Sequence, residues 1–234
     1  MCSLLVAAVA QTRPANPFQE ADHLLTVGES LERDKQSLAV IERALTTDGN
    51  NYQWLWRAAR AYYYVGDGSA KNEKNSYFQK GIDAGQRAVA ALPNAVEGHF
   101  WLAANYGGAS EQVGALKALQ TVKKIRAEME TVLRLNDRYN DGGAYLALGE
   151  MDRQLPRIVG GNLKRAITRL EQGIKIAPQN LELKIALAEA YKEDGRKEDA
   201  RRQLQEVANR PAGASANITE RHARERAQRL LAKL

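Results

Sequence analysis

The stretch that decides the fold is "LELKIALAEAYKEDGRKEDARRQLQEVANR", residues 181–210. Apolar side chains recur at helical spacing in its first half and again in its second half. They are Leu183, Leu187, Ala188 and Tyr191, followed by Ala200, Leu204 and Val207. Gly195 lies between the two sets and supplies a turn. The stretch therefore predicts a helical hairpin, in which Ala188 and Ala200 are small enough to let the two helices approach closely.

The composition of the whole chain favours helices. Of its 234 residues, 44% are hydrophobic and 26% are charged, so the chain has enough apolar surface to form an ordered core. Ala, Leu, Glu, Lys, Arg and Gln are abundant and runs of β-branched residues are scarce. We therefore predict an all-α protein.

The hairpin at residues 181–210 looks like a tetratricopeptide repeat, a helical hairpin with a period of about 34 residues. Earlier copies follow links at Gly49, Pro93, Asp137 and Pro178. We predict about five such hairpins over residues 17–216, stacked as a right-handed solenoid. Ile218 begins a last amphipathic helix within residues 217–234, which would cap the array because a terminal repeat otherwise exposes its core face.

Three enlargements interrupt the regular spacing, each between the two helices of a hairpin. They are "GSAKNEKNSYFQ" at 68–79, a long second helix after Tyr106, and "QLPRIVGGNLKRAI" at 154–167. Loops in this position emerge on one edge of a stack. In the third, Pro156 should end a helix and Asn162 should begin the next. Leu155, Ile158 and Val159 are apolar for a loop, so we expect them to fold back and close one side of a groove.

Candidate binding residues come from the helix "NYQWLWRAARAYYYVG" at 51–66. Trp56, Arg60 and Tyr63 share one stripe of this helix, apart from its packing face. The next unit adds Phe100 and Asn105. Such a groove could hold an extended peptide, or an apolar acid whose carboxylate pairs with Arg60. Alternatively, Trp56 and Tyr63 simply pack on the adjacent inserted loop.

The residue pattern does not point to catalysis, a cofactor or a metal. His23, His99 and His222 lie in different predicted helices, without ligands at metal-binding spacing. The sequence also lacks a recognisable arrangement of acid, base and nucleophile. The net charge of +6 arises largely from the last forty or so residues, typical of a solvated helix face, and no nucleic-acid-binding motif accompanies it. We therefore expect a non-enzymatic protein that does not bind nucleic acid.

The N-terminus suggests export. Residues 2–10 are small and apolar and end in Ala8-Val9-Ala10, a pattern that signal peptidase cuts. We interpret residues 1–16 as a truncated signal peptide and short linker, which predicts a periplasmic or otherwise exported protein. The alternative is a short apolar tail on a cytoplasmic protein. Cleavage after Ala10 would remove Cys2, the only cysteine, and with it any thiol chemistry.

Two longer stretches carry a family resemblance over about residues 50–234. "EGHFWLAANYGGASEQVGALKAL" and "IRAEMETVLRLNDRYNDGGAYLALGEMDRQLPRIVGGNLKRAI" resemble the TatT family, the periplasmic T component of TRAP-type solute transporters. They are also similar to the helical-repeat domain of the regulator of microtubule dynamics proteins, which share the glycine after the tyrosine, the "LKAL" helix and the proline-containing loop. The resemblance implies a helical-repeat fold without catalytic activity.

The resemblance also implies a partner, a solute receptor outside the cytoplasm, and a small apolar or organic-acid ligand. Two hypotheses of function follow. One is a binding protein that docks such a receptor and holds such a ligand. The other is a general scaffold for protein–protein interaction that handles no ligand. A closed pocket of a few hundred cubic ångströms would favour the first, and an open groove would favour the second.

Overall fold

A computed structural model describes residues 16–27, 29–110, 115–210 and 218–234 of the chain. The expected signal peptide therefore lies outside the described residues. Those residues form eleven α-helices and one short 3-10 turn, Arg157–Val159. The helices are α1 (Pro17–Leu24), α2 (Leu31–Thr47), α3 (Tyr52–Gly68), α4 (Lys71–Ala91), α5 (Val96–Ser110), α6 (Ala115–Asn136), α7 (Tyr139–Gln154), α8 (Leu163–Ile176), α9 (Leu181–Glu193), α10 (Lys197–Ala208) and α11 (Ile218–Leu231).

The helices stack as successive antiparallel pairs. Each helix packs against the next, and the first helices of neighbouring hairpins also lie side by side. Within the described ranges this gives the five hairpins α1–α2, α3–α4, α5–α6, α7–α8 and α9–α10, followed by α11. The predicted all-α repeat array is confirmed.

The hairpin at residues 181–210 forms as its sequence predicts. Gly195 has a φ of 79°, the left-handed conformation that glycine adopts without strain. Ala188 and Ala200 are 1% and 0% exposed, so both small residues are buried in the core of the hairpin. Upstream, the Asn162 side chain accepts a hydrogen bond of 3.0 Å from the Arg165 N–H, which makes it the N-cap of α8.

The core has two parts, and α7 contributes to both. The first cluster extends from α1 to α7 and includes Leu148, whereas the second extends to α11. Tyr145 and Leu146 of α7 pack against this second cluster. Hence α7 joins the two halves of the array through opposite faces of one helix.

The prediction of an enlarged loop at 68–79 is wrong. Only Ser69 and Ala70 separate α3 from α4, so the additional residues lengthen α4 at its start. Phe78 stabilises this extension, because its ring is 3% exposed and packs where Gly66 and Gly108 leave room for it. The second enlargement is a long helix as predicted, the 22-residue α6.

The third enlargement is a tight loop that only partly matches its prediction. Pro156 follows the end of α7, and the Gly161 N–H donates a 3.1 Å hydrogen bond to its carbonyl oxygen. Leu155 is half-buried, but Ile158 is 95% exposed, so the expectation that Ile158 folds back over the array is wrong. The physical reason is the 3-10 turn, which turns Ile158 to solvent while Leu155 stays at the end of α7.

Candidate functional site

An open groove runs along the side of the array that is formed by the first helices of the hairpins. Its volume is about 1260 Å³, larger than the pockets that typically enclose a small ligand. Residues of α3, α5 and α7 form most of its lining, and the starts of α9 and α11 continue it. This is the concave side that a helical-repeat array presents to a partner.

Aromatic side chains cluster at the α3 end of the groove. The Trp101 ring lies 5.9 Å from that of Tyr63 and 5.6 Å from that of Tyr64, measured between ring centroids. Phe100 makes an edge contact with Tyr139 at 5.2 Å, and the Trp101 indole N–H donates a 3.0 Å hydrogen bond to the Tyr139 hydroxyl. The cluster gives the groove a rigid aromatic wall that spans three hairpins.

Burial raises the pKa of two phenols in this wall. It is the main cause that raises the pKa of Tyr139, to about 12. Burial, together with the neighbouring Tyr63, also raises the pKa of Tyr64 well above its ordinary value. The hydroxyl groups of Tyr64 and Tyr139 therefore stay protonated at pH values where a solvent-exposed tyrosine would ionise.

Helices α5 and α7 splay apart and open a cleft in the floor of the groove. They approach each other at their starts, where Gly143 of α7 faces the Phe100 ring and an added Cβ would not fit. Further along they make little contact, whereas α3 packs closely against α5. The cleft is floored by Val122, Ile125 and Met129 of α6. An apolar strip of a second helix is thus reachable from the concave side.

The start of α7 explains this splay. Asn140, Asp141 and Gly142 have φ values of 50°, 51° and 71°, so the backbone turns through the left-handed region before the helix proper. Asn, Asp and Gly are the residues that tolerate this region best. The Asp141 carbonyl also accepts a 2.8 Å hydrogen bond from the Asn180 side chain, which ties the turn to the start of α9.

Three of the predicted site residues line the groove. Tyr63 and Phe100 belong to the aromatic wall, and Leu155 lines the groove from the end of α7. Ile158, by contrast, faces solvent.

Trp56 and Arg60 lie elsewhere, under α1. Asp22 of α1 forms ion pairs with Arg60 and with Arg57, the latter at 2.9 Å. Trp56 is 8% exposed, and its ring centroid lies 4.2 Å from the guanidinium carbon of Arg57 and 5.0 Å from that of Arg60. Arg60 therefore does not pair with a ligand carboxylate as expected. Its carboxylate partner comes from the chain itself, on α1.

Asn105 is also part of the core rather than of the groove. It is 0% exposed, and its amide N–H groups donate to the carbonyl oxygens of Ala59 at 2.8 Å and Trp101 at 2.7 Å. The side chain therefore links α3 to α5. A buried amide that satisfies backbone groups of two helices has a structural role.

Sequence reasoning missed the cleft floor, and it missed Tyr64, Trp101 and Tyr139 of the aromatic wall. It made no prediction for Ile125 and Met129. The only available signal was the unusual length of α6. That signal does not reveal which of its residues the neighbouring helices leave uncovered.

Charged residues line the C-terminal half of the concave side. Arg153 of α7 contacts Glu150 at 2.8 Å and Glu189 of α9 at 3.3 Å. Arg226 of α11 contacts Glu189 and Glu182, each at 3.0 Å. A ladder of ion pairs thus connects α7, α9 and α11. Its pairs are partly solvated, so each contributes little to stability but gives the surface a defined charge pattern.

Other kinds of site receive no support from the part of the chain that the structure describes. There, His, Cys, Asp and Glu side chains do not gather into a group of three or more that could hold a metal ion. None of the described helices combines the length and the apolarity that a membrane span requires.

The antiparallel hairpins, the concave groove and the capping helix define a tetratricopeptide-repeat-like fold. A model of the tetratricopeptide repeat matches residues 160–234. The structure is similar to TTC0263, a thermophilic tetratricopeptide-repeat protein of Thermus thermophilus, with a TM-score of 0.64 and 20% identity over 91% of this chain and 97% of that one. It is also similar to MamA, with a TM-score of 0.53 and 16% identity over 87% of this chain and 93% of that one. At these identities the likeness establishes the fold.

Within this class, the chain belongs to the family of regulator of microtubule dynamics protein 1-3. The model of that family matches residues 17–151, more than half of the chain. The match covers the aromatic wall, the long α6 and the start of α7, which together form the splayed cleft. No curated protein sequence matches the chain.

Proposed function

We propose that this protein is a non-enzymatic interaction scaffold that binds a segment of a partner protein along its concave groove. The observation that carries the proposal is the continuous groove of about 1260 Å³, which joins an aromatic wall to an apolar cleft across successive hairpins. A peptide segment can use such a groove along its whole length, placing apolar side chains in the cleft and against the rings. The open shape suits a segment better than a small molecule.

A photocrosslinking experiment tests this proposal. A photoreactive amino acid replaces Ala104, which lines the groove on α5, and in a second variant it replaces Ala90, which is exposed on α4. Expressed in the native cell, the Ala104 variant should form an adduct with one protein, whose crosslinked peptide is then identified by mass spectrometry. The Ala90 variant controls for random collisions. Adducts of equal yield and identity from both positions would contradict the proposal.

A second candidate function rests on the resemblance to the TatT family. In it, the protein is exported, docks a solute receptor of a TRAP-type transporter and holds a small apolar ligand in the cleft. The apolar floor formed by Val122, Ile125 and Met129 favours an apolar ligand. The pairing of Arg60 with Asp22 speaks against an organic acid held at that arginine.

Mass spectrometry of the mature N-terminus tests the export on which this candidate depends. Cleavage after Ala10, together with recovery of the protein from the periplasm, is the expected result. A chain that keeps residues 1–10 and stays in the cytoplasm would exclude the transporter role. The proposed scaffold function would remain compatible with that result.

A further inference from the structure

We infer that the partner segment is basic, with Lys or Arg side chains flanking the apolar groups that enter the cleft. The inference rests on the proposed function and adds the chemistry of the partner to it. It is drawn from the distribution of charge around the groove.

The groove is acidic although the chain is basic. Among the described residues that line it, five are carboxylates and two are cations, a net charge of −3, whereas the whole chain carries +6. The carboxylates are Asp67, Asp141, Glu150, Glu182 and Glu220, and the cations are Lys74 and Arg210. A charge opposite in sign to the rest of the molecule marks a surface that selects its partner electrostatically.

Ion pairs with residues outside the lining do not cancel this charge. Arg153 and Arg226 bind Glu150 and Glu182, but each arginine is shared with Glu189, and Arg153 is also shared with Glu193. The two arginines therefore bring two further carboxylates with them. Including these two arginines and two carboxylates leaves the net negative charge of the concave side unchanged.

Helix termini of both kinds line the groove: the ends of α3, α5 and α7, and the starts of α7, α9 and α11. The partial charges of helix ends and helix starts are opposite in sign. The acidic character of the groove therefore comes from its carboxylate side chains.

The positions of the carboxylates match an amphipathic segment. Glu150 lies on the wall of the cleft that α7 forms. Asp67 lies near the end of α3, and Asp141 lies near the start of α7. The apolar floor of α6 lies between them. A segment that places leucine or phenylalanine on this floor would bring its flanking lysines or arginines within reach of the surrounding acids.

Binding of two labelled peptides tests the inference. The peptides share their leucine positions and carry either lysine or glutamate at every other position, and binding is measured by fluorescence anisotropy at low and high salt. The lysine peptide should bind more tightly at low salt, and the difference should shrink as salt rises. The triple variant Asp67→Asn, Asp141→Asn, Glu182→Gln should weaken binding of the lysine peptide roughly tenfold.

A matched variant controls for total charge. Glu32→Gln, Asp83→Asn and Glu198→Gln remove three exposed carboxylates from the second helices α2, α4 and α10. This variant should bind the lysine peptide as the unmodified chain does. Equal weakening by both triple variants, or tighter binding of the glutamate peptide, would overturn the inference.

A cleft-filling variant separates the inference from the proposed function. Ala104→Trp should block both peptides, whereas Ala90→Trp should block neither. If the two peptides bind equally and Ala104→Trp blocks them, the groove binds segments but does not select basic ones. If neither peptide binds, the proposed function fails as well. If the chain dimerises and Ala104→Trp dissociates the dimer, the occupant is a second copy, and the inference is again overturned.

Discussion

At the scale of single residues, His99 shows how a buried polar side chain depends on its partners. It is 7% exposed, its Nδ1 lies 2.5 Å from Glu128 Oε2, and its Nε2 lies 2.8 Å from the Pro93 carbonyl oxygen. Both partners accept hydrogen bonds, so the doubly protonated ring satisfies both. The hydrogen bond to Glu128 is the main cause that raises the pKa of His99, and it outweighs the opposing effect of burial.

We therefore expect stability to depend on pH through His99. Its pKa in the folded chain lies above the unfolded value of about 6.5. The stabilisation is thus fully present below that value and is lost as the pH rises through the folded pKa. The free energy of unfolding, measured with urea between about pH 5 and pH 8, should be higher for the unmodified chain than for His99→Gln, and this difference should narrow as the pH rises. A difference that widens with pH would refute this assignment.

At the scale of helices, close approach between α4 and α5 depends on glycine. Gly81 faces the Asn105 amide and Gly85 faces Leu102, and neither position has room for a Cβ. The two glycines lie about one turn apart on α4, so they form a groove into which α5 packs. Asn105 can then bond to Ala59 and Trp101 at the same time. The sequence alone shows these glycines only as weak points of a helix.

A pair of glycine substitutions tests this packing. Gly81→Ala should lower the free energy of unfolding by about 1–3 kcal/mol, because the methyl group overlaps the buried Asn105 amide. Gly107→Ala on α5 should raise it by about 0.5–1 kcal/mol, because an added Cβ meets no atom of the described residues within 4 Å and alanine favours the helix. Thermal and urea unfolding measure both. The packing would be misassigned if both variants were equally stable.

At the scale of the whole molecule, one buried ion cluster helps α7 to join the two cores. The Asp152 side chain is fully buried and meets Arg126 of α6 at 2.9 Å, and Arg165 and Arg169 of α8 at 2.6 and 3.1 Å. Burial alone would raise the pKa of Asp152. The hydrogen bonds from Arg165 and Arg126 outweigh it and hold that pKa below its usual range.

We expect Asp152→Asn to destabilise the chain by about 3–5 kcal/mol, because three guanidinium groups lose their shared counter-charge. The variant should also uncouple the two cores. Trp54, Trp56 and Trp101 all belong to the first cluster, so tryptophan fluorescence reports that core whereas circular dichroism reports both. In this variant, the unfolding midpoint measured by fluorescence should differ from the midpoint measured by circular dichroism. Asp199→Asn, which alters an exposed ion pair on α10, is the control and should leave the midpoints together.

The sequence predicted much of the fold and only part of the site. Periodicity and the turn at Gly195 predicted the hairpins because these are local features, formed by residues a few positions apart. Tyr63 and Phe100 were predicted for the groove because each lies on the first helix of a hairpin. The same rule assigned Arg60 to this surface, but Arg60 forms an ion pair with Asp22 instead. The two residues are 38 positions apart, so their contact leaves no periodic signal in the sequence.

By itself, the sequence determined the class of secondary structure, the order of the hairpins and the acidic and aromatic residues that they carry. The tertiary structure decided which of those residues reach the groove. Helix formation follows from spacing and capping along the chain, whereas exposure depends on the angle at which neighbouring helices meet. Here the left-handed turn at Asn140–Gly142 splays α7 from α5 and uncovers the apolar strip of α6. Asn105, which the sequence placed in the groove, lies in the core because the glycines of α4 draw α5 close enough to enclose it.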